Sequence, residues 1–201
     1  MSIDKNDITG LILAGGRGSR MGGVDKGLQP FQGAPLAQHA IRRLAPQVGV
    51  VIVNANRNQE VYRAMGVAVY GDETPDFAGP LAGMLAGLDH CATPYLVTVP
   101  CDTPCFPGDL VARLCAGLIE SDLVTAYTRE AEQLSPQPVF CLMKTALRDG
   151  LRAFIDSGQR KTGLWAREHN GARVVFDDAA GFANYNTLAE LAGAERICPP
   201  P

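Results

Sequence analysis

The fold can be read from Ile8-Thr9-Gly10-Leu11-Ile12-Leu13-Ala14-Gly15-Gly16-Arg17-Gly18-Ser19-Arg20-Met21-Gly22-Gly23-Val24-Asp25-Lys26. The apolar run Ile8 to Leu13 reads as a buried strand. Five glycines come after it in a short span and leave much of the backbone uncovered, so N–H groups can approach a ligand closely. Arg17, Arg20 and Lys26 add positive charge to the same loop. Bare N–H groups and cations after a strand make a polyphosphate cradle. The stretch therefore predicts a nucleotide-binding loop near the start of an α/β domain.

Two better-known phosphate loops do not fit. The Walker pattern requires Gly-Lys-Ser/Thr, but Lys26 stands between Asp25 and Gly27. The dinucleotide fingerprint G-x-G-x-x-G begins at Gly16 and Gly18, then meets Met21 where its last glycine belongs. A glycine-rich connection without a ligand is the plainer alternative, and simple βα turns need few glycines.

Outward from this loop, strands and helices alternate. A helix is expected from Pro35 to about Pro46, with Leu36, Ala40, Ile41 and Leu44 on one face. Val48 to Val53 reads as a strand ending at Asn54, Gln59 to Met65 as a helix, and Val67 to Tyr70 as a strand ending near Asp72. Pro80 opens a helix to Asp89. Tyr95 to Val99 is a strand leading into Pro100-Cys101-Asp102. Pro107 to Ile119 is helical, and Leu123 to Ala126 is a strand. Pro138 to Met143 is strand-like, with the proline at its start. Next come a helix to Asp156, a short one from Thr162 and a strand Ala172 to Phe176. A capping box at Thr187 to Glu190 starts a last helix, and Pro199 to Pro201 is a frayed tail. Strands joined by helices predict one α/β domain, a mainly parallel sheet with helices on both faces.

At 201 residues the chain is long enough for one such domain and short for two. A net charge of −3 argues against general nucleic-acid binding. No apolar run is long enough to cross a bilayer, and the polar start Met1 to Asp7 does not read as a secretory signal. The six cysteines (Cys91, Cys101, Cys105, Cys115, Cys141 and Cys198) form no C-x-x-C pair and read as free thiols in a reducing, cytoplasmic setting. Cys101 and Cys105 flank Asp102, but no histidine pair or second cysteine pair completes a zinc site. His39, His90 and His169 are expected on helix surfaces.

Ligands of parallel sheets sit beyond the carboxyl ends of the strands. The glycine loop, Asn54, Asp72 and Asp102 all fall there. Asp102, held between Pro100 and Pro104, offers a hard oxygen to Mg2+, which takes one or two carboxylates plus substrate phosphates. An Asx-turn or a helix cap is its alternative role. Lys26 can meet a phosphate as a point charge and Arg20 as a fork. Arg160-Lys161 is a late basic pair that can hold a substrate phosphate or simply sit in solvent at a helix end.

Leu13-Ala14-Gly15-Gly16-x-x-x-Arg20-Met21-Gly22 with Lys26 resembles the signature of nucleotidyltransferases that activate sugars and cofactors. Gly22-Gly23-Val24-Asp25-Lys26-Gly27-Leu28, Val53-Asn54-Ala55-Asn56-Arg57, Gly79-Pro80-Leu81-Ala82-Gly83, Pro100-Cys101-Asp102-Thr103-Pro104 and Asn184-Tyr185-Asn186-Thr187 narrow it. Together they resemble the molybdenum cofactor guanylyltransferases, over nearly the whole chain. The resemblance implies a Rossmann-like fold, GTP as co-substrate, Mg2+, and a molybdenum-molybdopterin substrate. It implies GTP contacts at Leu13, Ala14, Gly15, Gly16, Lys26, Asn54 and Asp72, a metal ligand at Asp102, and a pterin side at Asn184 and Asn186. It also implies molybdenum-insertion proteins and apo-molybdoenzyme chaperones as partners, with no nucleic acid and no membrane. A GTP-binding half over about 1–106 and a pterin half over about 107–198 would result. The segment Tyr127 to Gln137, with Arg129, departs most from the family pattern.

The expected chemistry is transfer of GMP from GTP to the terminal phosphate of molybdopterin. Arg20, Lys26 and Asp102 are its catalytic candidates; Asp72 is the candidate for the base or the ribose, with Gly79 to Gly83 against the base. A cytidylyltransferase on the same pterin is one alternative; those relatives tend to carry Gly-Asp-Gln-Pro where this chain has Pro100 to Pro104. Sugar-phosphate nucleotidyltransferases usually space arginine and lysine further apart. A non-catalytic nucleotide-binding module is the alternative from another class, and the presence of both Lys26 and Asp102 argues against it.

Overall fold

The computed structural model describes residues 3–15, 25–73 and 79–185. Within them the run after the polar start becomes β1 (Ile8–Leu13), the hub of a sheet. It pairs in parallel with β4 (Val50–Asn54) on one side and β6 (Tyr95–Pro100) on the other. Between β1 and β4 lie a two-stranded hairpin, β2 (Pro30–Phe31) and β3 (Ala34–Pro35), and helix α1 (Leu36–Leu44). Helix α2 (Gln59–Arg63) leads to β5 (Ala68–Tyr70), which pairs in parallel with β4. Helix α3 (Pro80–Asp89) then carries the chain back to β6. The remaining elements are α4 (Leu110–Gly117), β7 (Leu123–Glu130), β8 (Gln133–Lys144), α5 (Arg148–Asp156), α6 (Thr162–Glu168) and β9 (Ala172–Phe176).

The sheet order among the described residues is β5-β4-β1-β6-β8-β7-β9. Its first half therefore runs third, second, first, fourth in chain order, the Rossmann arrangement. Only β8 runs against its neighbours, β6 and β7, so the expectation of a mainly parallel sheet holds.

Side chains alternate along each strand and feed two separate cores, because successive residues of a strand point to opposite faces. Ile12, Val53, Val97 and Leu142 pack with α1, α2 and α4 on one face. Leu11, Ile52, Leu96 and Met143 pack with α3, α5 and α6 on the other. Helices α1 and α2 lie on one face while the chain steps outward, and α3 lies on the opposite face for the return. Right-handed crossovers require that switch.

Three expectations need correction. Strands β7 and β8 form one long hairpin, where the sequence predicted two short strands ending at Ala126 and starting at Pro138. Beyond Thr98–Cys141 strand β8 no longer pairs with β6, and a register shift at Thr125/Ala126 takes up the residues around Pro138. With one edge of β8 unpaired there, Pro136 and Pro138 cost no hydrogen bond on that side. His39 is buried, not on a helix surface; its Nε2 lies 2.7 Å from the Phe31 carbonyl because the β2–β3 hairpin covers that flank of α1. Cys105 is disulfide-bonded, so the free-thiol expectation fails there and holds for Cys91, Cys101, Cys115 and Cys141. Burial pushes the Cys141 thiol up to about 12, which makes it an inert packing residue. Cys198, the capping box at Thr187 to Glu190 and the proline tail lie outside the described residues.

Candidate functional site

Four strands end in one flush row. The register pairs Leu13 with both Asn54 and Pro100, and Asn54 with Tyr70. Backbone hydrogen bonds continue the row by one residue: Ala14 N–H to the Asn54 carbonyl at 2.8 Å, Cys101 N–H to the Leu13 carbonyl at 3.1 Å, and Ala55 N–H to the Tyr70 carbonyl at 2.9 Å. The first residues beyond the four strands are thus presented side by side. Gly15 lies just past β1, Asn56 past β4, Asp72 past β5 and Asp102 past β6. The row straddles β1, where the strand order reverses and such sheets bind ligands.

At the β5 end the polar groups are tied into one cluster. The buried Asn54 amide donates to Asp72 Oδ1 at 2.9 Å and to the Tyr70 carbonyl at 3.3 Å. Asn56 donates to Asp72 Oδ2 at 2.8 Å and to the Gly15 carbonyl at 3.4 Å, and its Oδ1 accepts the Asp72 N–H at 2.7 Å. Each carboxylate oxygen thus accepts one amide and retains a lone pair for a ligand donor. Helix α3 begins beside this cluster, with Gly79 at its N-cap and Pro80 in its first turn. A Cβ on Gly83 would run into Asn54 Oδ1 and Leu13 Cδ2, so only glycine lets α3 lie this close to β1 and β4.

At the β6 end Lys26 Nζ stands 3.4 Å from Asp102 Oδ2, with side-chain exposures of 29% and 16%. The segment after β9 closes this end. Thr103 Oγ1 donates to Asn184 Oδ1 at 2.6 Å, and Tyr185 N–H to the Asp102 carbonyl at 3.0 Å. Among the described residues no three His, Cys, Asp or Glu side chains gather into a metal-binding group. A single carboxylate of low exposure beside a lysine still suits Mg2+, provided a polyphosphate supplies the remaining oxygens.

Leu13, Ala14, Gly15, Lys26, Asn54, Asp72, Gly79, Asp102 and Asn184 therefore gather along one edge of the sheet. Arg160 and Lys161 lie in the loop between α5 and α6, and the Arg160 guanidinium donates to the Ile155 and Gln159 carbonyls at 2.7 Å each. Ile155, in α5, shares a small cleft with Asp72, Glu73 and Ala82, but neither Arg160 nor Lys161 lines it. Gly16, Arg20 and Asn186 lie outside the described residues. Sequence reasoning missed Asn56, although it stands two residues beyond Asn54 in the same motif. It also missed Asp25, Asn58, Tyr62 and Thr103. A groove of about 620 Å3 lined by Ile3, Ile8, Pro46, Val111, Cys115 and Ile119 lies at the opposite edge, where β1 begins, away from this row of polar groups.

Fold and site together define an α/β domain built to handle a nucleotide at a strand-order reversal. The model of the MobA-like NTP transferase domain matches residues 10–174. The molybdenum cofactor guanylyltransferase of Bordetella petrii is 63% identical over 191 residues, covering 94% of this chain and 97% of that protein. That of Cupriavidus necator is 58% identical over 193 residues, covering 94% and 96%. Among solved structures, molybdopterin-guanine dinucleotide biosynthesis protein A from Archaeoglobus fulgidus superposes with a TM-score of 0.71 at 20% identity, covering 94% of this chain and 98% of that one. A 4-diphosphocytidyl-2C-methyl-D-erythritol synthase from Anaerococcus prevotii reaches 0.75 at 12% identity, covering 96% of each. The last two speak for the fold alone. The chain belongs to the MobA-like NTP transferase family and is a nucleotidyltransferase, as its motifs led one to expect. No helix among the described residues is long and apolar enough to cross a membrane.

Proposed function

We propose that this protein transfers GMP from GTP to the terminal phosphate of molybdenum-molybdopterin and releases pyrophosphate. The observation that carries the reading is the division of one strand-end row into an amide–carboxylate cluster at β5 and a lysine–carboxylate pair at β6. The first suits a base or ribose and the second a phosphate chain. The guanylyltransferase names of relatives at 58–63% identity supply the substrate pair.

The reaction requires no dedicated acid or base from the protein. A phosphate monoester has a second pKa near ~6 and is largely dianionic at neutral pH. One of its oxygens forms a bond to the α-phosphorus of GTP, and the bond from that phosphorus to the oxygen bridging to the β-phosphate breaks. The electron pair leaves with pyrophosphate. Lys26, and Arg20 from the glycine loop, lower the repulsion between the two anions and steady the charge of the five-coordinate state. Asp102 would hold Mg2+, whose chemistry when bound is charge neutralisation along the phosphates. Leu13, Ala14, Gly15 and Gly16 offer backbone to the nucleotide. Asp72 accepts N1–H and N2–H of guanine on its remaining lone pairs, with Gly79 to Gly83 against the base. Arg160, Lys161, Asn184 and Asn186 hold the pterin substrate. In this division residues up to about 106 serve GTP and residues from about 107 serve the pterin.

Pyrophosphate release with each NTP and metal-loaded molybdopterin tests the reading. GTP should be strongly preferred, and Asp72→Ala should reduce GTP use more than CTP use. An unpaired carboxylate against the wrong base costs on the order of 1–3 kcal/mol. Preference for CTP would establish the cytidylyltransferase alternative. Nucleotide binding without turnover would leave a binding module.

A further inference from the structure

Asp25 is the residue before Lys26 and the N-cap of a 3-10 turn, Lys26–Leu28. An aspartate there ordinarily caps its own turn, yet its side chain makes no such bond. Both carboxylate oxygens point instead to α2 and the residue before it. Tyr62 donates its hydroxyl to Oδ1 at 2.6 Å, and Asn58 donates its amide to Oδ2 at 3.0 Å. The Tyr62 ring is wholly buried in the core under α1 and α2, so its hydroxyl is held in one place. Burial, with Asp25 adding to it, pushes the phenol well above its usual range and keeps it a donor. Asn58 reaches across from a left-handed backbone, φ 49°. A Cβ on Gly27 would collide with the Tyr62 hydroxyl, so the turn carrying Lys26 is seated directly on this contact.

An anion next to Lys26 would compete with a polyphosphate for the ammonium group. We propose that Tyr62 and Asn58 are positioning residues: they hold the Asp25 carboxylate away from Lys26, so that the lysine charge is directed to Asp102 and to the triphosphate. The inference rests on the nucleotidyltransferase reading above. Neither residue touches the nucleotide; both act through Asp25.

Tyr62→Phe removes the hydroxyl and leaves the ring to fill the core. Binding of GTP, inorganic tripolyphosphate and guanosine, each with Mg2+, is measured by calorimetry on the full chain. The variant should bind GTP and tripolyphosphate about tenfold more weakly, bind guanosine as wild type does, and raise KM for GTP more than it lowers kcat. Adding Asp25→Asn to Tyr62→Phe should restore tripolyphosphate binding, since a neutral side chain cannot compete for Lys26. A merely structural contact would not be rescued by removing charge. Should Tyr62→Phe melt early, Asn58→Ala, at an exposed position, gives the same readings with a smaller loss. Unchanged tripolyphosphate binding, an equal loss for guanosine, or no rescue by Asp25→Asn overturns the inference while wild-type turnover of GTP leaves the nucleotidyltransferase reading standing. If wild type itself neither binds nor turns over GTP, that reading falls, and this one with it.

Discussion

Replacing Asn54 by Asp changes almost no volume and reverses one hydrogen bond. The wild-type amide donates to Asp72 Oδ1 at 2.9 Å from a buried position. In Asn54→Asp an oxygen faces that oxygen at the same spacing. Two unit charges about 4 Å apart repel by about 4 kcal/mol at an effective dielectric of 20. The pair escapes the repulsion by retaining one proton between them, as close carboxylates do. Holding that proton at neutral pH costs about 1.4 kcal/mol per unit above the ordinary value near 3.9, again about 4 kcal/mol. The two routes cost alike near neutrality, so the full deficit is reached there. The sign comes from linkage. The folded variant retains a proton that the unfolded chain releases, so its deficit is absent below the ordinary carboxylate range and grows as pH rises. It levels off once the shared proton is lost. Urea titrations of wild type and Asn54→Asp at intervals from about pH 4 to 8 should show the curves diverging by about 2–4 kcal/mol. GTP affinity should fall over the same interval. A deficit independent of pH, or none, would mean that Asp72 is not the ionised partner of Asn54, and the amide–carboxylate cluster at the β5 end would have to be redrawn.

The other site residues give simpler expectations. Asp102→Asn should lose turnover by several kcal/mol of transition-state stabilisation, read as pyrophosphate release. Its melting temperature should stay near wild type, because a part-exposed pair at 3.4 Å contributes about 1 kcal/mol or less. Lys26→Ala should weaken triphosphate binding by roughly 1.5–3 kcal/mol and guanosine binding little; calorimetry with the two ligands separates these. Gly83→Ala should destabilise the protein by about 1–3 kcal/mol, because its methyl group meets Asn54 and Leu13, and should raise KM for GTP by shifting the cluster. A wild-type melting curve for Gly83→Ala would show that α3 does not press this closely on β1.

Much of this architecture was legible because its punctuation is local. Strand β1 ends at its glycines and α3 has Pro80 at its start. The convergence of the glycine loop and Asp102 on one edge was also legible, although 76 residues separate Lys26 from Asp102. Strand–helix–strand units must bring their carboxyl ends to one edge, whatever the distance in sequence. The β7–β8 hairpin was not legible. Pro136 and Pro138 read as breakers, and nothing local tells that β8 has only one partner where they stand. His39 was misread for the same kind of reason: the hairpin covering it is formed by residues before α1 that carry no strand periodicity. Asn56 escaped because strand alternation stops at Asn54. Tyr62 and Asn58 escaped because their partner Asp25 lies more than 30 residues away, and a tyrosine at helix spacing reads as core, which its ring indeed is.

The flush row of strand ends also governs how changes at this site combine. Neighbouring strands are about 4.8 Å apart, and three such steps separate the strand that carries Asp72 from the one that carries Asp102. That is about 14 Å, beyond the range at which substitutions usually perturb one another in the free protein. Stability effects at Asp72 should therefore add to those at Asp102, and a double variant should melt where the two singles together place it. Under the proposed function, recognition of the nucleoside and handling of its phosphates then become separately adjustable properties of one sheet edge, and base preference can drift at Asp72 while the phosphate end after β6 is kept intact.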